Sequence, residues 1–312
     1  MLLRFLTLLA ATSLGLLQAG CTGEAPPSEK NLHTISLGKD QTLEIPVHVT
    51  RVVPANGAVL DFCAALVGPD RMAALPKASL RYSNIPDAER GPWEELPVMD
   101  GLHLEDLASA QVDLVIAHDW QEPSLAPVLA RAGIPVLFLP TVSSADDIFR
   151  SMHWVSLVFD VADKGVEQNT RLRSQAAALV ENGKSLAGTN AMVYSNYGVG
   201  GGTSGSGTSY DFMIRLAGLE NAAALAGIDG HQDLDLEGLV TIQPDFIILS
   251  GGPDGSSASL ATLQAQLAST PLQAIVKRHI VLLLPNELTT TSQFTLQAAK
   301  SLQDQVLQAL AR

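Results

Sequence analysis

The stretch Leu104–Trp120, LEDLASAQVDLVIAHDW, indicates how the chain folds. It begins with apolar residues at helical spacing, continues as a short apolar run typical of a buried strand, and ends in a polar segment that contains a tryptophan. The pattern therefore predicts one helix–strand unit, with a helix from Leu104, a strand over Asp113–Ala117 and a loop that carries Asp119 and Trp120.

A second copy of this unit follows 132 residues later, as LEGLVTIQPDFIIL over Leu236–Leu249. The identical positions are Leu104/Leu236, Glu105/Glu237, Leu107/Leu239, Gln111/Gln243, Asp113/Asp245 and Ile116/Ile248. Solenoid repeats recur at about 20–50 residues, so a repeat at this separation indicates something else. It predicts two similar α/β lobes, and the alternation of strands with helices predicts a parallel sheet in each.

The N-terminus has the features of a processing signal rather than of folded structure. Arg4 precedes an apolar run over Phe5–Leu17, which is shorter than the roughly 20 residues of a membrane-spanning helix and typical of a signal peptide. The small residues before Cys21 resemble the lipobox of bacterial lipoproteins, in which that cysteine becomes the lipidated first residue. We therefore expect a signal peptide over 1–20, lipidation at Cys21 and a flexible tether over 21–31. The alternative is an ordinary secretory signal followed by a chance cysteine.

Charge and cysteine content limit the partners of the chain. Its net charge of −13 argues against nucleic acid and against a basic patch for anionic membranes. Of the two cysteines, Cys63 lies in an apolar run and has no partner once Cys21 is lipidated. We expect Cys63 to be buried as a small apolar residue, and the chain to have no disulfide framework.

The order of the predicted elements divides the mature chain into three parts. An N-terminal α/β lobe over 32–142 begins with an edge hairpin and contains a long loop over Pro76–Asp100. Residues 143–187 lack strand signals and carry apolar residues at helical spacing, which predicts a single long connecting helix. A C-terminal α/β lobe over 188–312 completes the chain. The predicted fold is thus α/β, with two Rossmann-like lobes joined by one backbone helix.

A glycine-rich segment, Asn196–Thr208, lies between a predicted strand and a predicted helix of the C-terminal lobe. Such a loop can hold a phosphate, so a two-lobed enzyme that binds a nucleotide or phosphate here is one alternative. The segment lacks the Lys and Ser/Thr ending of a P-loop, and no acidic residue stands where a dinucleotide-binding fold holds the ribose. We expect a flexible loop at the mouth of a cleft.

Motifs for catalysis or for a bare metal are missing from the sequence. It contains no nucleophile elbow, and its seven histidines show no close ligand spacing. His118 and Asp119 are adjacent in an extended segment, so their side chains point in opposite directions. We therefore predict no catalytic residue, no resident cofactor and no direct metal site, and a receptor for free zinc or manganese remains a second alternative. His231 is the one histidine kept as a ligand-binding candidate, because its loop belongs to the expected cleft.

The few aromatic residues fall mainly in predicted loops next to strand ends. Tyr82, Trp120 and Tyr197 have this position, whereas Trp93, preceded by proline, is expected to cover the core. Ligands of open α/β sheets sit outside the carboxyl ends of the strands, where aromatic rings offer flat apolar surface. We therefore predict that Tyr82, Trp120 and Tyr197 contact a ligand.

Several further stretches carry a family resemblance. They are RVVPANGAVLDFCAALVGPDRMAAL from Arg51, YSNIP from Tyr82, HLEDLASAQVDLVIA from His103, RAGIPVLFLP from Arg131, TSGSGTSYDFMIRLAGLENAA from Thr203 and LEGLVTIQPDFIIL from Leu236. On these stretches the chain resembles the class III periplasmic binding proteins of ABC importers, which capture iron-siderophores, haem and cobalamin. The resemblance covers nearly all of Arg51–Leu310 and implies two lobes, one long connecting helix, small hinge motion and a ligand in the cleft.

The resemblance also gives the repeat a meaning. In that family an acidic residue on the surface of each lobe docks onto arginines of the membrane permease, and the match falls on Glu105 and Glu237. Two exposed carboxylates on rigid lobes suit such a partner, because charges steer and register an interface. The alternative is that both glutamates are ordinary residues of helix N-termini, where the helix dipole favours negative charge.

The resemblance implies ligand-binding positions in each lobe. Tyr82 matches a loop tyrosine of the cobalamin and haem binders, and Trp120 falls where a cleft aromatic is found. Met99 and His231 each lie six residues before a docking glutamate, where cobalamin binders carry tryptophan. This departure weakens a cobalamin assignment and leaves haem, corrinoid and siderophore open, with Tyr82 or His231 as an axial ligand of the bound metal.

The sequence thus predicts a substrate-binding lipoprotein of an ABC importer and not an enzyme. Its expected partners are the permease subunits with their ATPase, a small-molecule metal chelate and the membrane, reached through the N-terminal lipid. We expect a monomer in the cell envelope, anchored on the periplasmic or extracellular face.

Overall fold

The computed structural model describes residues 31–38, 41–121, 124–196, 200–252, 254–266 and 279–311. The predicted signal peptide and tether, with Cys21, lie outside the described residues, and so does Tyr197.

The strands are, in chain order, β1 (Leu32–Gly38), β2 (Gln41–Pro46), β3 (Val52–Pro54), β4 (Leu75–Pro76), β5 (Val98–Met99), β6 (Leu114–His118), β7 (Val136–Leu139), β8 (Asn190–Asn196), β9 (Gly201–Ser204), β10 (Glu220–Asn221), β11 (His231–Asp233), β12 (Phe246–Ser250) and β13 (Ile280–Leu283). The helices are α1 (Gly57–Ala64), α2 (Ser79–Tyr82), α3 (Asp87–Glu94), α4 (Leu104–Ser109), α5 (Leu125–Arg131), α6 (Ala145–Val158), α7 (Ala162–Gly183), α8 (Ser209–Leu216), α9 (Ala222–Leu225), α10 (Leu236–Ile242), α11 (Ala258–Gln266), α12 (Pro285–Leu288) and α13 (Thr295–Leu310). Short 3₁₀ turns cover Pro69–Arg71 and Lys184–Leu186.

Each predicted lobe contains a parallel sheet, as the helix–strand alternation indicates. In the N-terminal lobe the order is β3-β6-β7, beside the parallel pair β4-β5 and the antiparallel hairpin β1-β2. In the C-terminal lobe the order is β11-β9-β8-β12-β13, with β10 on β8. The strands β8, β12 and β13 are parallel, whereas β9 and β11 add to the edge in antiparallel fashion.

Apolar layers cover both faces of the central strands. In β6, Leu114 and Ile116 belong to the largest core cluster and Val115 to a separate cluster of the N-terminal lobe. In β12, Ile248 belongs to that same largest cluster and Ile247 to a cluster of the C-terminal lobe. Successive strand residues point to opposite faces, so these apolar runs bury both faces of each sheet. The fold class is confirmed as α/β with two lobes, and the largest core cluster contains residues of both.

The two copies of the repeat adopt the same local structure. Each contains a short helix, α4 or α10, followed by the buried strand β6 or β12. Gln111 and Gln243 follow these helices with left-handed φ angles of 50° and 53°. This conformation ends a helix and lets the chain turn back into the sheet.

The connecting segment is helical but consists of two helices where one was predicted. Helix α6 ends at a turn in which Asp160 has a left-handed φ of 55°, and α7 then runs back along it. The antiparallel packing is visible where Asn169 Nδ2 donates to the Phe149 carbonyl and the Arg173 guanidinium lies over the Phe149 ring. The sequence does not indicate this turn, because residues 159–161 include neither glycine nor proline and the helical spacing of apolar residues continues through buried Phe159.

Two segments that the sequence predicts as loops contain regular structure. The stretch Pro76–Asp100 holds α2, α3 and β5, and Trp93 within it is buried in the core as expected. The glycine-rich segment contains strand β9 rather than a flexible loop throughout. Glycine is needed there because a Cβ on Gly201 would overlap the Tyr194 hydroxyl, and a Cβ on Gly205 would overlap the Ile228 carbonyl.

The buried thiol of Cys63 confirms the prediction for that residue, and burial raises its pKa. Within the part of the chain that the structure describes, no helix combines the length and apolar character needed to cross a membrane.

Candidate functional site

Two of the predicted aromatic residues share one pocket. Tyr82 at the end of α2 and Trp120 after β6 line a cavity of about 270 Å³, which we call the aromatic pocket. Its other walls come from Ala55–Ala58 after β3 and from Thr289–Thr291 of the C-terminal lobe. The pocket therefore lies at the carboxyl ends of parallel strands, where α/β folds bind ligands. Tyr82 is 41% exposed and Trp120 is 56% exposed, so both rings have free surface.

Tyr82 owes its position to close packing of α2 against the start of α1. A Cβ on Gly57 would lie 2.7 Å from the Tyr82 carbonyl carbon and 2.8 Å from both the Ser79 carbonyl oxygen and the Ser83 nitrogen. These are backbone atoms that cannot rotate away, so only glycine permits this approach. The Arg81 guanidinium lies 5.5 Å from the Tyr82 ring centroid and places positive charge beside the pocket.

Trp120 packs on a partly buried polar network. Its ring stacks on His118, with centroids 5.8 Å apart and planes inclined by 14°. Asn56 Nδ2 lies 3.2 Å from His118 Nδ1, and the same amide group donates to Gln121 Oε1. Gln121 Oε1 also accepts the His118 backbone N–H at 3.1 Å, and Asn56 Oδ1 caps α1 by accepting from Val59 N. The network fixes the base of the loop that carries Trp120.

His118 is held as a neutral imidazole. Because Asn56 Nδ2 can only donate, His118 Nδ1 accepts and the ring proton is carried by Nε2. Burial lowers the pKa of His118 to about 4, against smaller opposite effects of the Thr291 backbone and the Asp119 carboxylate. Nε2 is buried and has no hydrogen-bond partner among the described residues. His118 is thus a structural support of the pocket rather than a proton donor at neutral pH.

His231 lies in a second pocket, at the carboxyl end of β8. It is an exposed residue of β11, and Ser204 Oγ lies 2.8 Å from its Nδ1. Tyr210 meets its ring edge-on, with centroids 6.0 Å apart. These residues line a cavity of about 370 Å³ together with Gln232 and Asp233. With Nδ1 engaged by the serine, Nε2 is the nitrogen available to a ligand.

The structure does not bring Met99 to either pocket. Met99 is buried on β5 and belongs to the separate core cluster of the N-terminal lobe, with Val53 and Leu107. It also lines a separate cavity of about 400 Å³ with Asp100 and Asp106, so it shares no pocket with Tyr82, Trp120 or His231.

The glutamates predicted to dock a permease have equivalent places. Glu105 is exposed in the first turn of α4, and Glu237 is exposed in the first turn of α10. Both positions also suit the helix dipole, so their geometry is compatible with docking and with a purely local role.

The described part of the glycine-rich segment, 200–208, gives no support to a phosphate site. Helix α8 follows it, and the Thr208 side chain already caps this helix by accepting from Asp211 N at 3.1 Å. The buried Asp211 carboxylate stands in the first turn, where it accepts from Arg215 and Asn221. A phosphate here would face the negative charge of Asp211 and a helix N-terminus that Thr208 already caps.

Among the residues that the structure describes, no three side chains of His, Cys, Asp or Glu are grouped so that they could hold a metal ion.

Part of the aromatic pocket consists of residues that were not predicted from the sequence. Asn56, His118 and Thr289–Thr291 contribute to it or support it, yet none was predicted. Asn56-Gly57 between a strand and a helix is a recognisable turn signal. Nothing in the sequence around Thr289–Thr291 indicates that this segment reaches the other lobe.

Comparison with known families yields one match that spans most of the chain. A family model described as periplasmic binding protein matches residues 53–287. Comparison with curated protein sequences yields no match.

Solved structures resemble the chain over most of its length. The periplasmic heme-binding protein BhuT in complex with two hemes has a TM-score of 0.71 and 23% identity, over 83% of this chain and 98% of that one. An ABC-type Fe³⁺-hydroxamate transport protein of Saccharomonospora viridis has a TM-score of 0.70 and 20% identity, over 88% and 98%. The vitamin B12-binding protein BtuF of Vibrio cholerae has a TM-score of 0.70 and 17% identity, over 84% and 98%. At these identities the likeness establishes the fold.

Proposed function

The chain belongs to the periplasmic binding protein family, and from this premise we propose that it is the substrate-binding lipoprotein of an ABC importer. It captures a metal chelate between its lobes and delivers it to the permease, while ATP hydrolysis belongs to the partner ATPase and the chain itself is not an enzyme. Cys21 carries the lipid that anchors it to the membrane on the periplasmic or extracellular face, and it acts as a monomer.

The observation that carries this proposal is the aromatic pocket. Tyr82 and Trp120 present partly exposed rings from the N-terminal lobe, and Thr289–Thr291 closes the pocket from the C-terminal lobe. A ligand held there contacts both lobes at once, as capture between lobes requires. Flat aromatic surface suits a large ligand with an apolar face.

Within the class of metal chelates, these groups favour a planar tetrapyrrole such as haem. The Tyr82 oxygen is a suitable ligand for haem iron, and the Arg81 guanidinium beside it suits a carboxylate of the ligand. His231 Nε2 is a second candidate ligand, from the other pocket. The haem-binding, hydroxamate-transport and vitamin B12-binding proteins among the structural relatives support the broader class.

Docking on the permease is proposed for Glu105 and Glu237. They occupy the same position of the repeat and are exposed on rigid helix–strand units. The two charges can therefore attract a partner and fix its orientation.

A titration of the full chain with haemin, cobalamin and a ferric hydroxamate tests the ligand class. Of the three tryptophans, Trp93 and Trp154 are buried and Trp120 is exposed, so a ligand in the aromatic pocket quenches mainly Trp120. We expect saturable quenching by at least one chelate, and loss of most of that signal in Trp120→Phe. Saturation by a nucleotide or by Zn²⁺, with no response to any chelate, would overturn the proposal.

A second measurement tests the role of the tyrosine oxygen. Tyr82→Phe keeps the ring and removes the phenol, so it should change the visible spectrum of bound haem if Tyr82 ligates the iron. His231→Ala serves as the comparison from the other pocket. An unchanged spectrum in Tyr82→Phe, with a changed one in His231→Ala, would move the iron ligand to the C-terminal lobe.

A further inference from the structure

One buried carboxylate connects the two walls of the aromatic pocket. Asp61 lies in α1 of the N-terminal lobe and is 1% exposed. Its Oδ1 accepts the Asn84 backbone N–H at 2.7 Å, and its Oδ2 accepts Asn84 Nδ2 at 3.0 Å. The same Oδ2 accepts Ser292 Oγ of the C-terminal lobe at 2.9 Å. A single side chain therefore holds segments that are 208 residues apart in sequence.

Both of these partners adjoin walls of the pocket. Asn84 follows Tyr82 by two residues, and Ser292 directly follows Thr289–Thr291. Further hydrogen bonds join the same segments, because the Asp61 carbonyl accepts Gln293 Nε2 at 2.7 Å and the Asn286 carbonyl accepts Asn84 Nδ2 at 3.4 Å. Asp61 does not line the aromatic pocket. It therefore acts on the pocket through the segments that contain Asn84 and Ser292.

We propose that Asp61 is a positioning residue of the ligand pocket, which fixes the Tyr82 wall and the Thr289–Thr291 wall relative to each other through Asn84 and Ser292. The inference rests on the proposed function in treating the aromatic pocket as the ligand site. It goes beyond that function because it assigns the alignment of the two lobes to one buried carboxyl group.

Hydroxyl partners let this connection persist when the carboxyl group gains a proton. Ser292 Oγ lies 2.9 Å from Thr290 Oγ1, and either oxygen can be the donor. With Asp61 ionised, Ser292 donates to it. With Asp61 protonated, Ser292 can accept from it and donate to Thr290 instead. The charged form attracts its donors more strongly, so the connection is tighter when Asp61 is ionised.

Several charged groups surround this carboxyl group. Burial raises the pKa of Asp61 to about 7, against the hydrogen bonds from Asn84 and Ser292 and the charge of Arg90 on α3. Asp61 also lines a cavity of about 420 Å³ on whose walls stand Glu89 of α3 and Arg171 of α7. On α1 itself, the Cys63 thiol has a pKa raised by burial and by Asp61, and therefore stays neutral.

Hydrogen exchange of the ligand-free full chain tests the connection without any ligand. In Asp61→Ala the amides of Asn84 and of 290–294 should exchange on the order of tenfold faster together, because both segments lose the same acceptor. The matched control is Asp147→Ala, another buried aspartate, whose carboxylate accepts from Ser143 and Ser144 within the connecting segment. That control should accelerate exchange only around 143–151. Faster exchange confined to the Asn84 segment in Asp61→Ala would overturn the proposal.

Ser292→Ala is a more selective variant, because of the hydrogen bonds to the Asp61 carboxylate it removes only the one from the C-terminal lobe. The hydrogen bonds from Asn84 to Asp61 stay in place. It should weaken haemin binding roughly tenfold, as Asp61→Ala should, whereas Asp147→Ala should change it less than about twofold. Equal weakening by the control would show a general loss of stability and overturn the positioning role.

The pH profile of affinity separates positioning from mere structure. Wild-type affinity should be higher at pH 8 than at pH 6, with a midpoint near the Asp61 pKa of about 7, and Asp61→Asn should lose this dependence. A dependence that persists unchanged in Asp61→Asn contradicts the proposal. If haemin, cobalamin and the ferric hydroxamate all fail to bind the wild type, the proposed function fails, while the exchange experiment still decides on the connection.

Discussion

Asp113 and Asp245, which occupy the same position of the repeat, each hold the start of the neighbouring parallel strand. Asp113 Oδ2 accepts the backbone N–H groups of Thr50 and Arg51, both at 3.1 Å, just before β3. Asp245 Oδ2 accepts the Asn190 backbone N–H at 3.0 Å and Asn190 Nδ2 at 2.8 Å, at the start of β8. The identical aspartates therefore have the same structural role in both lobes.

Replacement of either aspartate should lower the free energy of unfolding by about 1–3 kcal/mol, because backbone donors at the start of β3 or β8 lose a charged acceptor. Urea unfolding of Asp113→Ala and Asp245→Ala measures the loss. Asp100→Ala is the control, since that side chain is 87% exposed and should change stability by less than about 0.5 kcal/mol. Equal stability of all three variants would show that the two aspartates are not structural anchors.

Gly57→Ala should weaken haemin binding, because the added Cβ would lie 2.7 Å from the Tyr82 carbonyl carbon and displace α2. The overlap with fixed backbone should also lower the free energy of unfolding by about 1–3 kcal/mol. The measurement is a fluorescence titration alongside urea unfolding. Gly91→Ala, where a Cβ meets open space in α3, should bind haemin normally and gain up to about 1 kcal/mol of stability.

His118→Gln should remove one acid-dependent loss of stability. The folded-state pKa of His118 is lowered from 6.5 to about 4, so between these pH values the unfolded chain binds the proton and the folded chain does not. Wild type should therefore lose up to about 3 kcal/mol as pH falls from 6.5 to 4, and should show no contribution from this group above pH 6.5.

The check on His118 is the difference in unfolding free energy between wild type and His118→Gln as a function of pH. Taking this difference cancels the pH-dependent contribution of Asp61, which both proteins share. That contribution has the opposite sign, because the raised pKa of Asp61 lets the folded chain bind its proton at a higher pH than the unfolded chain does. A difference that does not change between pH 7 and pH 4 would contradict a buried neutral His118.

The double variant Glu105→Arg with Glu237→Arg should abolish uptake of the ligand by cells and leave its affinity unchanged, because both glutamates are exposed on α4 and α10 and do not line either pocket. Uptake of a labelled chelate, with a parallel binding titration, measures both effects. The charge-matched control is Glu167→Arg with Glu220→Arg, at exposed positions outside the repeat. Lost affinity in the first variant would assign the glutamates to the ligand site.

Cys21→Ser should release the protein from membranes into the soluble fraction, because a serine cannot carry the thioether-linked lipid. Fractionation of cells that express each form, followed by immunoblotting, gives the measurement. Retention of Cys21→Ser in the membrane fraction would argue for a mode of anchoring other than lipidation.

The secondary structure of the lobes was largely predictable, and the exceptions have local causes. The helix–strand units, the hairpin and strand β7 follow from apolar periodicity, which records the faces that become buried. The turn at Asp160 was missed because a left-handed aspartate ends α6 without glycine or proline. Strand β9 was missed because its glycines, which allow the close approach to Tyr194, are also typical of a loop.

Prediction of the ligand site was less complete. Tyr82 and Trp120 do share a pocket, although they are 38 residues apart, and His231 lines a pocket of its own. Met99 follows the same alignment but is buried in a core cluster, as apolar side chains commonly are, and it lines a cavity apart from both of these pockets.

The sequence by itself determined the fold class and the duplicated architecture, because strand–helix alternation and helical spacing are local consequences of burial. Only the tertiary structure decided the composition of the pocket. The Thr289–Thr291 wall and the bond between Asp61 and Ser292 depend on groups that meet across two lobes, and the neutral His118 depends on burial beside Asn56, which is 62 residues away in sequence. Such contacts leave no periodic signal, since each residue alone resembles any other polar residue of a loop or a buried helix.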